Sequence, residues 1–191
     1  TVDPTSSLAT PAPTVLLGDS FLESYAGWFG WGNAQSGSTL VAVNSAGVGG
    51  QTVDQMTARI STDVTPYEPE VVALHGGTND IAAGVSTATM QARYTACLDA
   101  LQAIPSVTDV IVCTPPPQTG ITGGEITVLS EVRAWLLALN RPGVTIADTG
   151  MAMSTGDGIT SDAAKRVDSV HPNATGAQAM ANALDDVLAA L

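Results

Sequence analysis

Thr14-Val15-Leu16-Leu17-Gly18-Asp19-Ser20 is a short apolar run that stops abruptly at a glycine, an acid and a serine. The same event recurs along the chain. Thr39–Val43 ends at Asn44, Glu70–Leu74 at His75-Gly76-Gly77, Asp109–Cys113 at Thr114 and three prolines, and Gly143–Ala147 at Asp148. Each run is rich in Val, Leu or Ile on consecutive positions. That pattern belongs to strands buried on both faces of a parallel sheet.

Helical patterns fill the intervals. Met90, Tyr94, Cys97, Leu98, Leu101 and Ile104 recur at three- and four-residue steps and form one apolar stripe, with Ser86 placed to cap its start. Leu129, Val132, Leu136 and Leu139 form a second stripe. Met180, Leu184, Val187, Leu188 and Leu191 form a third. Gln51–Thr62 is a weaker helix, carried by Val53, Met56 and Ile60, and glycines 27, 30 and 32 interrupt the first crossover over Phe21–Ala34. Alternation of strand and helix predicts an α/β fold with right-handed crossovers and helices on both faces of a five-stranded parallel sheet.

Composition narrows the function. The 191 residues suit one domain, expected over residues 14–191. Six Lys+Arg against 18 Asp+Glu give a net charge of −12, which repels nucleic acid and anionic lipid headgroups. The longest apolar run, Ala134–Leu139, is too short to insert in a membrane. Cys97 and Cys113 are the two cysteines. They read as buried free thiols, with a disulfide as the alternative. Thr1–Pro13, rich in Thr, Ser and Pro, reads as a flexible leader or linker, and it suggests the mature end of a secreted chain. An oligomeric state is not specified.

In an open α/β sheet the functional crevice lies beyond the carboxyl ends of the strands. Polar and glycine residues gather there: Gly18-Asp19-Ser20, the turn from Asn44 to Thr52, Gly76–Asp80, and Asp168–Asn173 before the last helix. Serine is a weak nucleophile without an adjacent base. The chain has two histidines, His75 and His171. His171 has Asp168 three residues earlier, close enough to fix its tautomer and stabilise the imidazolium. His75 lacks such an acid and reads as a strand-end residue hydrogen-bonded beneath the crevice. Acyl transfer also needs donors for a developing oxyanion, which the Gly47–Gly50 turn and the Asn79 amide could supply.

These four segments, in this order, resemble the SGNH, or GDSL, hydrolase family: Gly18-Asp19-Ser20-Phe21-Leu22, the Gly-Val-Gly-Gly-x-Thr turn, Gly77-Thr78-Asn79-Asp80, and Asp168-x-x-His171-Pro172-Asn173. The resemblance spans Gly18 to Asn173. It implies a flavodoxin-like three-layer α/β/α sandwich and serine esterase or lipase chemistry with no metal and no cofactor. Ser20 matches the nucleophile, His171 the base and Asp168 its orienting acid. The N–H groups of Ser20 and Gly50 and the amide of Asn79 match the oxyanion hole, with Gly49 as the alternative to Gly50. Phe21 departs from the smaller or aliphatic residue common after the serine.

The expected substrate is a small-molecule or carbohydrate ester with a short acyl group, because so short a chain leaves little room for a lid. Trp28 and Trp31 are candidates to line the substrate groove, with core packing as the alternative, and Pro115, in the loop after the fourth strand, is placed to shape the pocket. Trp135, in an apolar helix, reads as core. Competing chemistries lack their signatures. A glycosidase needs two carboxylates flanking a sugar, whereas Asp19 and Asp80 sit where they would brace turns. G-x-G-x-x-G, a P-loop lysine and the G-x-S-x-G elbow are missing. A non-catalytic binding module on the same fold would be expected to have lost Ser20, Asp168 or His171. An acyltransferase would use the same residues and differ in admitting an alcohol instead of water.

Overall fold

The computed structural model describes residues 10–37 and 39–189. The Thr1–Ala9 part of the expected leader and Leu191 of the third helical stripe lie outside the described residues. Five strands, β1 (Ala12–Gly18), β2 (Leu40–Gly47), β3 (Val71–His75), β4 (Asp109–Cys113) and β5 (Val144–Ala147), form one parallel sheet in the order β2-β1-β3-β4-β5. The helices are α1 (Ser20–Glu23), α2 (Gly27–Gln35), α3 (Val53–Ala58), α4 (Ile60–Asp63), α5 (Thr78–Ala82), α6 (Thr87–Gln102), α7 (Gly123–Leu137), α8 (Thr149–Ala152) and α9 (Ala174–Leu188). Chain direction about the sheet reverses after β2, so the crevice opens at the carboxyl ends of β1 and β3.

Strand alternation sorts the core into two layers. Val15, Leu17, Val72, Leu74, Val110 and Val112 face α3, α6 and α7, meeting Met56, Tyr94, Leu98 and Leu129. Leu16, Val71, Ala73, Ile111 and Cys113 face α1, α2 and α9, meeting Phe21, Trp28, Met180 and Leu184. The two cysteines therefore lie on opposite faces of the sheet, Cys97 in the first layer and Cys113 in the second. Both are buried and free, as expected, and the disulfide alternative is ruled out by the sheet between them. Burial pushes the Cys97 thiol up to about 11 and the Cys113 thiol up to about 12.

Two expectations are corrected, and the first crossover, left open by its glycines, is settled. The run beginning at Thr39 is not buried on both faces. It is the edge strand β2, it continues through Asn44 and Ser45 to Gly47, and Val41 and Val43 are exposed. The other edge strand, β5, is likewise only half-buried at Val144, Thr145 and Ile146. Residues 51–62 do not make one helix. The chain breaks at Arg59, which closes α3 and opens α4. The glycine-rich first crossover does form helix. Gly32 permits close packing there, since a Cβ on it would lie 2.6 Å from the Ala181 carbonyl oxygen of α9. The α6, α7 and α9 stripes form helices as expected, except that Ile104 and Leu139 lie just past the ends of α6 and α7, and Ser86 caps α6 by accepting the Thr89 N–H.

Candidate active site

Gly18 ends β1, and Asp19 caps α1 by accepting the Phe21 N–H at 3.0 Å. Ser20 is thus the first residue of a helix, where an N–H has no intrahelical acceptor. Asp19 is fully buried and sits 3.3 Å from Nδ1 of His75, which is also fully buried at the end of β3. His75 stacks on Phe21 at 4.5 Å. It braces the floor of the site from below, as its sequence position suggested.

The loop from Asp168 to His171 is built by one carboxylate. Asp168 Oδ1 accepts the N–H groups of Val170 and His171, each at 2.7 Å. Its Oδ2 lies 2.8 Å from His171 Nδ1. The hydrogen bond from His171, then the two backbone donors, hold the Asp168 carboxyl well below its ordinary range, at about 2. An ionised carboxylate only accepts, so Nδ1 carries the proton and Nε2 presents its lone pair. That lone pair faces Ser20 Oγ at 2.8 Å. Three residues separated by up to 151 positions thus form one relay, and the relay has the tautomer a general base requires.

The loop is held from behind. The Arg166 guanidinium, 8% exposed, donates to the carbonyls of Val170 and Pro117 and, at 3.3 Å, of Met153. The Val167 N–H donates to the His171 carbonyl at 3.0 Å and Thr119 N–H to that of Ser169 at 2.8 Å. Asn173 then caps α9 by accepting the Gly176 N–H.

The second and third segments close on the first. The Val48 N–H donates to the Gly18 carbonyl at 2.9 Å, and the Asn79 amide donates to the Gln51 carbonyl at 3.0 Å. Asn79 is half-buried, and an amide with two donors retains one for a ligand. Gly50 is left-handed, with φ at +78°, while Gly49 lies against Ser20, its Cβ direction 3.8 Å from the Ser20 Cβ. Among the described residues neither glycine N–H has a protein acceptor. Arg59 ties the strand ends together. Its Nη2 donates to the Gly18 carbonyl at 2.8 Å and the Ala46 carbonyl at 2.6 Å, and its Nε to Gln51 Oε1 at 2.6 Å. Asp80 braces this side, accepting the Val53 N–H at 3.0 Å and Arg93 at 2.6 Å.

Two expected substrate contacts are corrected. Trp28 is fully buried, and its indole N–H donates to the Phe21 carbonyl at 3.3 Å, so it anchors α2 instead of lining a groove. Pro115 is buried as well, its Cβ packed over Gly77. Trp31 is 46% exposed on α2, and Trp135 packs on the core as expected. Tyr25, which no spacing argument singled out, stacks on His171 with ring centroids 4.8 Å apart and planes 14° from parallel. The site is open: the His171 side chain keeps 22% of its surface and that of Asp168 49%. Among the described residues no cluster of three or more His, Cys, Asp or Glu could hold a metal ion, and no helix is long and apolar enough to cross a membrane.

The fold recurs in solved structures. A GDSL-like lipase from Bacteroides thetaiotaomicron superposes with a TM-score of 0.69 at 19% identity, over 92% of this chain and 86% of its own. A mutant acetyl esterase with an acetate ion scores 0.71 at 23% identity, over 92% and 95%. A family 3 carbohydrate esterase from Clostridium thermocellum scores 0.70 at 15% identity, over 93% and 95%. No curated protein matches the sequence. The profile of the GDSL-like lipase/acylhydrolase family matches residues 16–179, which takes in the last three residues of β1, the whole of β2 to β5 and all four segments of the site. With that match extending over most of its length, the chain belongs to the GDSL-like lipase/acylhydrolase family and is a carboxylic ester hydrolase.

Proposed function

We propose that the protein is a serine esterase that removes short acyl groups, acetyl above all, through an acyl-enzyme. The observation that carries this reading is the unbroken relay from Ser20 Oγ through His171 to Asp168, at 2.8 Å per step. His171 Nε2 takes the Ser20 proton as Oγ attacks the ester carbonyl. The carbonyl oxygen becomes an oxyanion held by the N–H groups of Ser20 and Gly50 and the Asn79 amide. The C–O bond to the alcohol then breaks, and the imidazolium returns its proton to the departing alkoxide. Water, deprotonated by the same imidazole, attacks the acyl-serine; the second oxyanion collapses and Ser20 leaves with the proton. Asp168 remains a carboxylate throughout.

The open crevice favours esters displayed on a larger molecule. Among structures with this fold are an acetyl xylan esterase and an acetyl-xylooligosaccharide esterase from Geobacillus. Deacetylation of a polysaccharide is accordingly the second reading. The test is initial rates on p-nitrophenyl acetate, butyrate and octanoate, followed by acetylated xylan, with Ser20→Ala as control. Rates that fall with chain length and vanish in Ser20→Ala are expected. A Ser20→Ala protein as active as the wild type would overturn the reading. Rates undiminished at octanoate would replace short-chain specificity with a lipid-like substrate.

A further inference from the structure

The relay leaves one contact unexplained. Tyr25 lies between α1 and α2, outside both helices, with its ring nearly parallel to the His171 imidazole at 4.8 Å. The two flanking helices fix its backbone. α1 is pinned by the Asp19 cap, and α2 by the buried Trp28 and Phe29. The Tyr25 carbonyl accepts the Trp28 N–H at 3.4 Å. Its side chain is half-exposed, so it stands at the mouth of the site. Phe21 approaches the same imidazole at 5.5 Å, tilted by 45°, and is itself fully buried.

His171 needs such support. Its side-chain polar contacts are Asp168, which is 49% exposed on the same loop, and Ser20 Oγ, whose bond is given up when the serine is acylated, leaving Asp168 as the lasting tether. A hydrogen bond at Nδ1 sets the tautomer and leaves the ring able to rock about that bond. A parallel aromatic face removes the rocking motion. It also presents negative π density to the ring when His171 takes the Ser20 proton and becomes a cation. We propose that Tyr25 is a positioning residue of the ester hydrolase. It locks the imidazole plane toward Ser20 Oγ and stabilises the imidazolium through its π face, with no contribution from its hydroxyl.

This rests on the serine-esterase reading, and two readouts separate them. The first is kinetic, on p-nitrophenyl acetate. Tyr25→Leu keeps the apolar cover and removes the π face. It should lower kcat by about two- to fivefold with KM unchanged, and Tyr25→Phe should restore kcat. The second needs no turnover. The chain has two histidines, so the His171 Hε1 proton is readily identified by NMR, with the buried His75 as an internal control of folding. At one alkaline pH its upfield ring-current shift should disappear in Tyr25→Leu and persist in Tyr25→Phe, with the His75 signal unmoved. A Tyr25→Leu protein with kcat and Hε1 both unchanged would overturn the proposal. So would a rise in KM at constant kcat, which would make Tyr25 a substrate contact, or a Tyr25→Phe protein as impaired as Tyr25→Leu, which would assign the effect to the hydroxyl. Activity that survives Ser20→Ala would defeat the esterase reading while the Hε1 shift still judged the stack.

Discussion

Asp168 divides its two oxygens between structure and chemistry. Oδ1 shapes the turn through two N–H groups, and Oδ2 holds the imidazole. Asp168→Asn keeps an oxygen for the turn but places an amide donor where a proton acceptor is needed. The imidazole is then driven to the tautomer with its proton on Nε2, facing Ser20. A loss of up to about 10⁴-fold in kcat is expected, read on p-nitrophenyl acetate, with little change in melting temperature at neutral pH. The pH dependence has a definite sign. The folded state favours the charged carboxyl, which is held at about 2 against an ordinary 3.8. Its contribution to stability is therefore complete above about pH 5 and is lost as pH falls from there toward 2. The part of the difference in melting temperature between wild type and Asp168→Asn that comes from this carboxylate should shrink as pH falls below about 4. Exposure of the side chain keeps that difference small. Asn79 offers a complementary test. Asn79→Ala removes one proposed oxyanion donor and should lower kcat by about 10²- to 10³-fold with a smaller effect on KM. A rise in KM alone would mean the amide binds substrate and not the transition state.

At the scale of elements, the sheet was legible wherever a strand had neighbours on both sides. β1, β3 and β4 are flanked strands, so each carries an unbroken apolar run (Val15–Leu17, Val71–Leu74, Val110–Cys113), and Asp109–Cys113 appears with its bounds unchanged. β2 has one neighbour. Its outer half carries Asn44 and Ser45, which look like a loop in one dimension although Asn44 spends its amide on the Asp63 carbonyl at 2.9 Å. Ser20, His171 and Asp168 were legible because each lies in a short motif with fixed spacing. Trp28 and Tyr25 were not, since their roles depend on how α2 settles against α9 and against the loop at His171. The glycines of α2 explain the difficulty. They lower helix propensity, yet Gly32 is where α9 comes within contact distance. Gly32→Ala would gain propensity and lose packing. A methyl 2.6 Å from a backbone oxygen and 3.0 Å from Leu184 must push the helices apart, so a net destabilisation of about 1–3 kcal/mol is expected. Denaturant unfolding measures it. A stabilised Gly32→Ala protein would show that the α2–α9 contact yields more easily than its geometry implies.

For the whole molecule, burial and charge make separate predictions. Cys97 and Cys113 sit in different core layers with their thiols raised to about 11 and about 12. The thiolate is the reactive form, so at neutral pH both thiols should resist a disulfide reagent until the protein unfolds, and reducing agent should leave the melting temperature unchanged. Their rate of labelling then reports how often the core opens: Cys97 the layer under α6, and Cys113 the central strand β4. The net charge of −12 acts at longer range. Arg59, Arg93, Arg133 and Arg141 are each paired with an aspartate, so the surface field is dominated by unpaired acids. An anionic ester approaching the open crevice works against that field, whereas a neutral ester does not feel it. Raising ionic strength from about 0.01 M to 0.15 M shortens the screening length from about 30 Å to 8 Å. It should therefore raise kcat/KM for a monoanionic aryl ester such as a p-nitrophenyl hemisuccinate several-fold and leave that for p-nitrophenyl acetate level. The change should lie in kcat/KM and not in kcat, because the field governs encounter while the chemical step falls to the relay proposed at Ser20. Equal salt responses for the two esters would mean that the charges around the crevice are locally balanced despite the excess over the whole chain.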